Sequence, residues 1–251
     1  MATGKWLIVT DLDDTLVGPC PEDREALRQL NRHLQPPEIV LVYATGRSPA
    51  SAQALIAEAG LLAPAALISG VGTAISYEQS PEQADQDWWQ RLKVNWDMAL
   101  IDKIALGHAD SLIPQPAGEQ NPFKRSFFLA PEQAKTVIST LRAQLAAAGI
   151  EAQIVYSSDR DLDILPIGAG KGQAVRHLQE RWGFTASTTV VCGDSGNDQG
   201  LFETGSLGIA VGNARAELVR WLDINEHLPI YRARQRCAAG LLEGLQHWQV
   251  L

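Results

Sequence analysis

Apolar positions along the chain fall into short unbroken runs separated by amphipathic stretches. Trp6-Leu7-Ile8-Val9, Ile39-Val40-Leu41-Val42-Tyr43 and Ala66-Leu67-Ile68 are such runs, and Thr188-Thr189-Val190-Val191-Cys192 and Leu207-Gly208-Ile209-Ala210-Val211 are two more. Runs of this length, rich in β-branched residues, fit strands buried on both faces. Between them, apolar residues recur three and four apart. Pro21 to Leu34 carries Leu27, Leu30 and Leu34 before Pro36-Pro37 ends the helix. Pro49 to Ala59 stops at Gly60, Gln173 to Trp182 follows a glycine-rich turn, and Ala238 to Trp248 sets Leu241, Leu242 and Leu245 on one side. Gly70-Val71-Gly72-Thr73 turns the chain into Ala74 to Tyr77. Strand alternating with helix predicts an α/β fold built on a doubly wound parallel sheet.

The pattern shifts in the middle third. Glu78 to Asp87 is polar and acidic, Trp88, Trp89 and Trp96 lie in a helix-like segment to about Gly107, and Asp110 to Pro122 reads as loop. Arg125 to Leu129 predicts a strand, Pro131 to Ala148 an amphipathic helix closed at Gly149, and Glu151 to Ser157 a second strand. This separate β-α-β pattern marks residues 80–165 as a smaller α/β cap domain inserted into a core of residues 1–79 and 166–251. The three indoles are expected to pack inside the cap rather than stack on a ligand. Hinges near residues 80 and 165 would let the two domains close on each other.

Composition narrows the classes. Of 251 residues, 45% are hydrophobic and 20% charged, which suits a globular chain with a sizeable core. The net charge of −8 and the lack of a basic run exclude a nucleic-acid partner but leave room for a small phosphorylated ligand. Cys20, Cys192 and Cys237 are odd in number and widely spaced, unlike a zinc site or a disulfide framework. No signal-like apolar core and no long apolar window argue for no membrane association and for a cytoplasmic chain, expected to be a monomer.

Polar clusters stand at the ends of the predicted strands. Asp11, Asp13, Asp14 and Thr15 follow the first, Thr45, Gly46 and Arg47 the second, and Asp194 to Asp198 a later one, while Lys171 opens a helix. In a doubly wound sheet these ends share one edge, where ligands bind. Asp11, Asp13 and Asp194 carry three negative charges. One Mg²⁺ and Lys171 would balance them and admit a phosphate, and an oxygen-only donor set suits that ion. Thr45, Gly46 and a helix N-terminus favour an anion. The plainer alternative for Asp11 to Thr15 is an acidic turn capping the next helix. Gly168 to Lys171 lacks the spacing and the Ser/Thr of a P-loop, Gly70-Val71-Gly72 lacks the third glycine of a dinucleotide fingerprint, and GDSG is no nucleophile elbow.

The motifs DLDDT at 11–15, Thr45-Gly46, Lys171 and GDSGND at 193–198 resemble, in order and spacing, those of the haloacid-dehalogenase-like phosphatases. YATGRS at 43–48, EQNPFK at 119–124, YSSDRDLDILP at 156–166 and CGDSGNDQGLFE at 192–203 are similar to the sucrose-phosphate phosphatases of the cyanobacterial and plant kind. The resemblance implies Mg²⁺-dependent hydrolysis of sucrose 6-phosphate to sucrose and phosphate, the last step of sucrose synthesis, through an aspartyl-phosphate. Asp11 would be the nucleophile and Asp13 the acid and base. Thr45, Gly46, Lys171 and Asn197 would face the phosphoryl group. Asp11, the Asp13 carbonyl and Asp194 would hold the metal, with Asp198 behind them. Glu119, Gln120, Asn121 and Lys124 would meet the sugar, and Arg47 would bind substrate or pair with an acidic neighbour. Competing readings are a related phosphatase for mannosylglycerate or glucosylglycerol phosphate, a phosphosugar mutase, and a non-catalytic module that binds sucrose-phosphate synthase. Association with that synthase is the expected protein partnership.

Overall fold

Trp6–Thr10 (β1) runs through the middle of the larger of two sheets in a computed structural model that describes residues 5–35 and 37–251. Residues 1–4 of the expected core and Pro36 of the expected helix stop lie outside the described residues. The chain continues through Ile39–Ala44 (β2), Ala66–Ser69 (β3), Ala74–Tyr77 (β4) and Ser80–Ala84 (β5). Ile113–Pro114 (β6), Arg125–Phe128 (β7), Ala152–Ser157 (β8) and Asp161–Pro166 (β9) follow, then Thr189–Gly193 (β10), Leu207–Ala210 (β11) and Ile230–Arg232 (β12). The large sheet has the order β12-β11-β10-β1-β2-β3-β4-β5. Pairing is parallel from β12 to β3 and antiparallel at β4 and β5.

Leu7, Ile8 and Val9 are fully buried because helices cover both faces of the sheet. Leu7 and Val9 pack with Ala174, Val175 and Leu178 of the Lys171–Trp182 helix. Ile8 packs on the other face with Leu27 and Leu30 of the Pro21–His33 helix and Leu241 and Leu245 of the Cys237–His247 helix. This is the doubly wound α/β arrangement that the apolar runs predict.

β6 to β9 form a second, wholly antiparallel sheet in the order β6-β7-β9-β8. The helices Met98–Leu106 and Pro131–Ala147 lie on one of its faces, where Ile101, Leu141 and Leu145 bury Phe127, Leu162 and Ile164. Alternation sends Ser126, Phe128, Asp161 and Asp163 to the opposite face. The reading of Asp110 to Pro122 as pure loop misses β6, and the β-α-β reading misses β9.

The chain does not leave the large sheet at residue 80. β5 is the edge strand of that sheet, paired with β4. Trp88 and Leu92 of the following Gln86–Leu92 helix are buried with Val71, Leu165 and Ala169. The sequence Ser-Pro-Glu-Gln has no apolar alternation, so only its hydrogen bonding to β4 makes it a strand. Trp88, Trp89 and Trp96 pack where the two layers join, and Trp88 Nε1 donates to the Gly72 carbonyl at 3.1 Å.

Candidate active site

Asp11 lies directly after β1, and its N–H donates to the Cys192 carbonyl of β10. Asp194 follows β10 directly, so the parallel pairing of the two strands sets both carboxylates at one sheet edge. Asp11, Asp194 and Asp198 are all buried. Among the described residues they form a group whose carboxylate oxygens lie within 4.8 Å of one another.

Lys171, fully buried at the start of its helix, places Nζ in the middle of this group. It donates to Asp11 Oδ1, Asn197 Oδ1 and Asp198 Oδ1, each at 2.7 Å. Burial opposes a charged lysine, but Asp11 and Asp198 outweigh it, and the ammonium is held above its ordinary range. Asp198 Oδ2 accepts from the Asp194 and Ser195 N–H groups at 3.0 Å, so this side chain braces the loop. Asp194 Oδ1 accepts from Thr15 Oγ1 at 3.0 Å. Burial pushes the Asp11 carboxyl up, with Lys171 pulling the other way. Burial also raises Asp194, and the nearby Asp198 and Asp11 charges add to it.

Three buried carboxylates against one buried ammonium leave the group short of positive charge. Its donors are all oxygen, with no His or Cys, so the site fits a hard divalent cation, and Asp11 and Asp194 are placed to hold it.

Asp13 has a different partner. Its carboxylate receives two hydrogen bonds from Arg47, Nε to Oδ2 at 2.8 Å and an Nη to Oδ1 at 2.7 Å, and both side chains are partly exposed. Of the two roles left open for Arg47, the structure shows the pairing with an acidic neighbour. Thr45 is fully buried, its Oγ1 accepting from the Arg47 N–H at 3.1 Å, and Gly46 lines the cleft above it.

The cap closes over these groups and leaves a cleft of about 560 Å³. Glu119 and Lys124 line it. Lys124, 2% exposed, reaches the Gly46 carbonyl at 3.3 Å and Asp163 at 3.5 Å. Glu119 accepts from the Ser48 N–H at 3.3 Å. Gln120 and Asn121 are not among the cleft's lining residues. Gln120 bonds the Gln115 carbonyl and both backbone groups of Ser126, and Asn121 joins Thr73 and the Phe123 N–H. In this structure their polar atoms are engaged within the protein rather than turned to the cleft.

Several residues of the cleft wall are given no site role by the sequence, although Asp161 and Asp163 read there as candidates for a structural ion pair, and Asp163 does pair with Lys124. Asp163 accepts from Ser126 Oγ at 2.5 Å beside Lys124, and Phe128, carrying the Arg160 guanidinium 4.3 Å from its ring centroid, also faces the cleft. Arg215 joins from the core, 3.1 Å from Asp14 and 3.9 Å from Asp194. The period-two alternation of Asp161-Leu162-Asp163-Ile164 was the available signal for the first of these.

A parallel-dominated sheet with buried aspartates at its carboxyl edge and an inserted antiparallel cap is the fold of the haloacid-dehalogenase-like class. The haloacid dehalogenase-like hydrolase protein yhjK from Bacillus subtilis shares it, with a TM-score of 0.69 at 19% identity over 98% of this chain and 92% of its own. Within that class the chain belongs to the sucrose-6F-phosphate phosphohydrolase family, whose model matches residues 4–249. It is similar to the sucrose-phosphatase from Synechocystis sp. PCC6803, solved in complex with sucrose and phosphate, with 40% identity, a TM-score of 0.91 and 98% of each chain covered. Probable sucrose-phosphatase 2 of Arabidopsis thaliana is 36% identical over 98% of this chain and 60% of its own length. Mannosylfructose-phosphate phosphatase of Agrobacterium fabrum is 36% identical over 96% of each. The chain thus spans about 60% of the length of the plant relatives that it matches.

Proposed function

We propose that the chain hydrolyses the phosphate monoester of a disaccharide, sucrose 6-phosphate, through an aspartyl-phosphate on Asp11. The observation that carries this reading is the buried Asp11 carboxylate, held by Lys171 through Oδ1 at the floor of a cleft roofed by a polar sheet face. Asp11 attacks phosphorus in line, forming an O–P bond as the bond to the sugar oxygen breaks. Asp13 gives that oxygen its proton. In the second half it takes a proton from the water that attacks phosphorus, releasing phosphate and restoring Asp11. To do so, Asp13 must first leave Arg47, which is then free to meet the substrate. Lys171, the Gly46 N–H and Thr45 answer charge on the phosphoryl oxygens, while Asn197 and Asp198 fix the ammonium.

Mg²⁺ is the cation proposed for Asp11, Asp194 and the Asp13 carbonyl, and when bound it supplies positive charge to the phosphoryl oxygens. Lys124 and Glu119 are assigned to the sugar, with Asp163 and Ser126 orienting Lys124. Residues 93–166 are assigned as the cap that selects the sugar, and residues 5–92 and 167–251 as the core. A cytoplasmic monomer that works beside a sucrose-phosphate synthase is the proposed setting. Among the described residues, no helix is long and apolar enough to cross a membrane.

Mannosylfructose phosphate is a second substrate to test, since the Agrobacterium phosphatase is as similar as the Arabidopsis one. Phosphate release should be measured with Mg²⁺ on sucrose 6-phosphate, mannosylfructose phosphate, fructose 6-phosphate and glucose 6-phosphate. Sucrose 6-phosphate should lead, and Asp11→Asn should lower its turnover by about 10³-fold or more with circular dichroism unchanged. Preference for a monosaccharide phosphate, or turnover retained in Asp11→Asn, would overturn the reading.

A further inference from the structure

The Gly70–Gly72 turn between β3 and β4 sits between the two halves of the phosphate-facing machinery. The Gly70 N–H donates to the Arg47 carbonyl at 2.8 Å, and the Val71 N–H donates to the Thr45 carbonyl at 3.0 Å. Val71 Cγ2 lies 3.8 Å from where a Cβ on Gly46 would stand. On its other side, the turn meets the start of the lysine helix backbone to backbone. A Cβ on Gly72 would lie 2.2 Å from the Gly170 carbonyl carbon and 2.6 Å from the Lys171 nitrogen. The turn therefore fixes the distance between the 45–47 loop and Lys171.

Its conformation is one that its sequence does not favour. Val71 is buried in the left-handed region at φ 56°, ψ 36°, where β-branched residues are rare. Such a residue persists where its surroundings over-determine it. Beside the Thr45 carbonyl on the Val71 N–H and the Trp88 indole on the Gly72 carbonyl, the surroundings include Thr73 and, from the cap, Asn121. Thr73 Oγ1 donates to the Gly70 carbonyl at 2.8 Å and accepts from Asn121 Nδ2 at 2.8 Å. Thr73 is 1% exposed, so its bond to Gly70 is shielded from water, and the bond from half-buried Asn121 is partly so. Asn121 is set in turn by the Phe123 N–H, which donates to its Oδ1 at 2.8 Å. Asn121 stands three residues before Lys124, on the cap loop that enters the cleft.

We propose that Asn121 is a positioning residue: its bond to Thr73 seats the Gly70–Gly72 turn, so that docking of the cap sets the 45–47 loop against Lys171. This rests on the phosphatase reading and adds to it a route by which contacts at the sugar end improve geometry at the phosphoryl end.

The test is a double-mutant cycle of Asn121→Ala and Thr73→Val, with Thr73→Ser as the conservative variant. Steady-state rates are measured on sucrose 6-phosphate and on phenyl phosphate, which has no sugar. Amide hydrogen exchange of residues 69–74 is followed by mass spectrometry. Each single variant should lower kcat about tenfold on both esters with KM within about twofold, and the double variant should fall no further. Thr73→Ser should stay within about twofold of the parent, and exchange in 69–74 should speed up in Asn121→Ala and Thr73→Val. A KM rise confined to sucrose 6-phosphate in Asn121→Ala would make Asn121 a sugar contact and overturn the proposal. Additive losses or unchanged exchange would also overturn it. If the parent chain fails on sucrose 6-phosphate, the substrate reading falls, while the phenyl phosphate cycle and the exchange data still decide the coupling.

Discussion

Lys171 shows how far a single side chain can be over-determined. An ammonium with no exposed surface keeps its charge only because two carboxylates and an amide oxygen surround it at 2.7 Å. Lys171→Met would leave Asp11 and Asp198 buried without their cation. In EDTA it should lower unfolding stability by about 3–5 kcal/mol, read from urea titrations, besides abolishing turnover. The carboxylates carry a pH signature of opposite sense to the usual one. Asp11 and Asp194 are raised by burial, so the folded state keeps protons that the unfolded state has released. Stability from these groups is therefore full at low pH and is lost as pH climbs from the ordinary carboxylate range, near about pH 4, towards neutrality. Metal competes for the deprotonated forms. Mg²⁺ should raise the Tm more at pH 8 than at pH 5, and Asp194→Asn should flatten the dependence; equal Mg²⁺ shifts at both pH values would contradict the assignment. Asp11, Asp194 and Lys171 were legible as letters, because each follows a predicted strand or opens a predicted helix. The engagement of Gln120 and Asn121 within the protein was not, since an amide looks the same in sequence whether it faces a ligand or a neighbouring loop.

At the scale of elements, the lysine helix must approach the 196–202 segment closely to bring Nζ into place. Gly172 makes this possible: a Cβ there would lie 1.9 Å from the Gly200 carbonyl oxygen. Gly172→Ala should push the helix outward, lowering stability by about 1–3 kcal/mol and kcat by about tenfold or more, checked by thermal melts beside steady-state kinetics. The helices and central strands were readable because their patterns are local: Leu27, Leu30 and Leu34 declare a helix on their own. β5, β6 and β12 were not, and each for its own reason, whereas the alternation of β9 was there to read and was missed. β5 is polar and β6 spans two residues. β12, three residues at the far edge, is a strand through its pairing with β11. Antiparallel pairing in the cap likewise depends on which strands meet, and this depends on residues far apart in the chain.

For the molecule as a whole, the cleft exists because the cap is tied down around it. The Ser158 N–H in the β8–β9 turn donates to Glu217 of the core at 3.1 Å, opposite the Lys124 and Glu119 contacts with the 46–48 loop. Ser158 and Asp159 both have positive φ, the backbone of a tight hairpin turn. Glu217→Ala should loosen this side of the roof and raise KM for sucrose 6-phosphate about threefold to tenfold with kcat within about twofold, measured by phosphate release. The Asp13–Arg47 pair has its meaning at this scale too. Asp13 is half exposed and Arg47 about a third, so water screens their attraction to about 1 kcal/mol. A phosphate dianion entering the cleft bids for the same guanidinium and can displace a carboxylate so weakly held. Under the proposed reaction, the resting protein would keep its own acid as a decoy in the arginine's grip, and the guest that evicts the decoy would be the one on which that acid is needed.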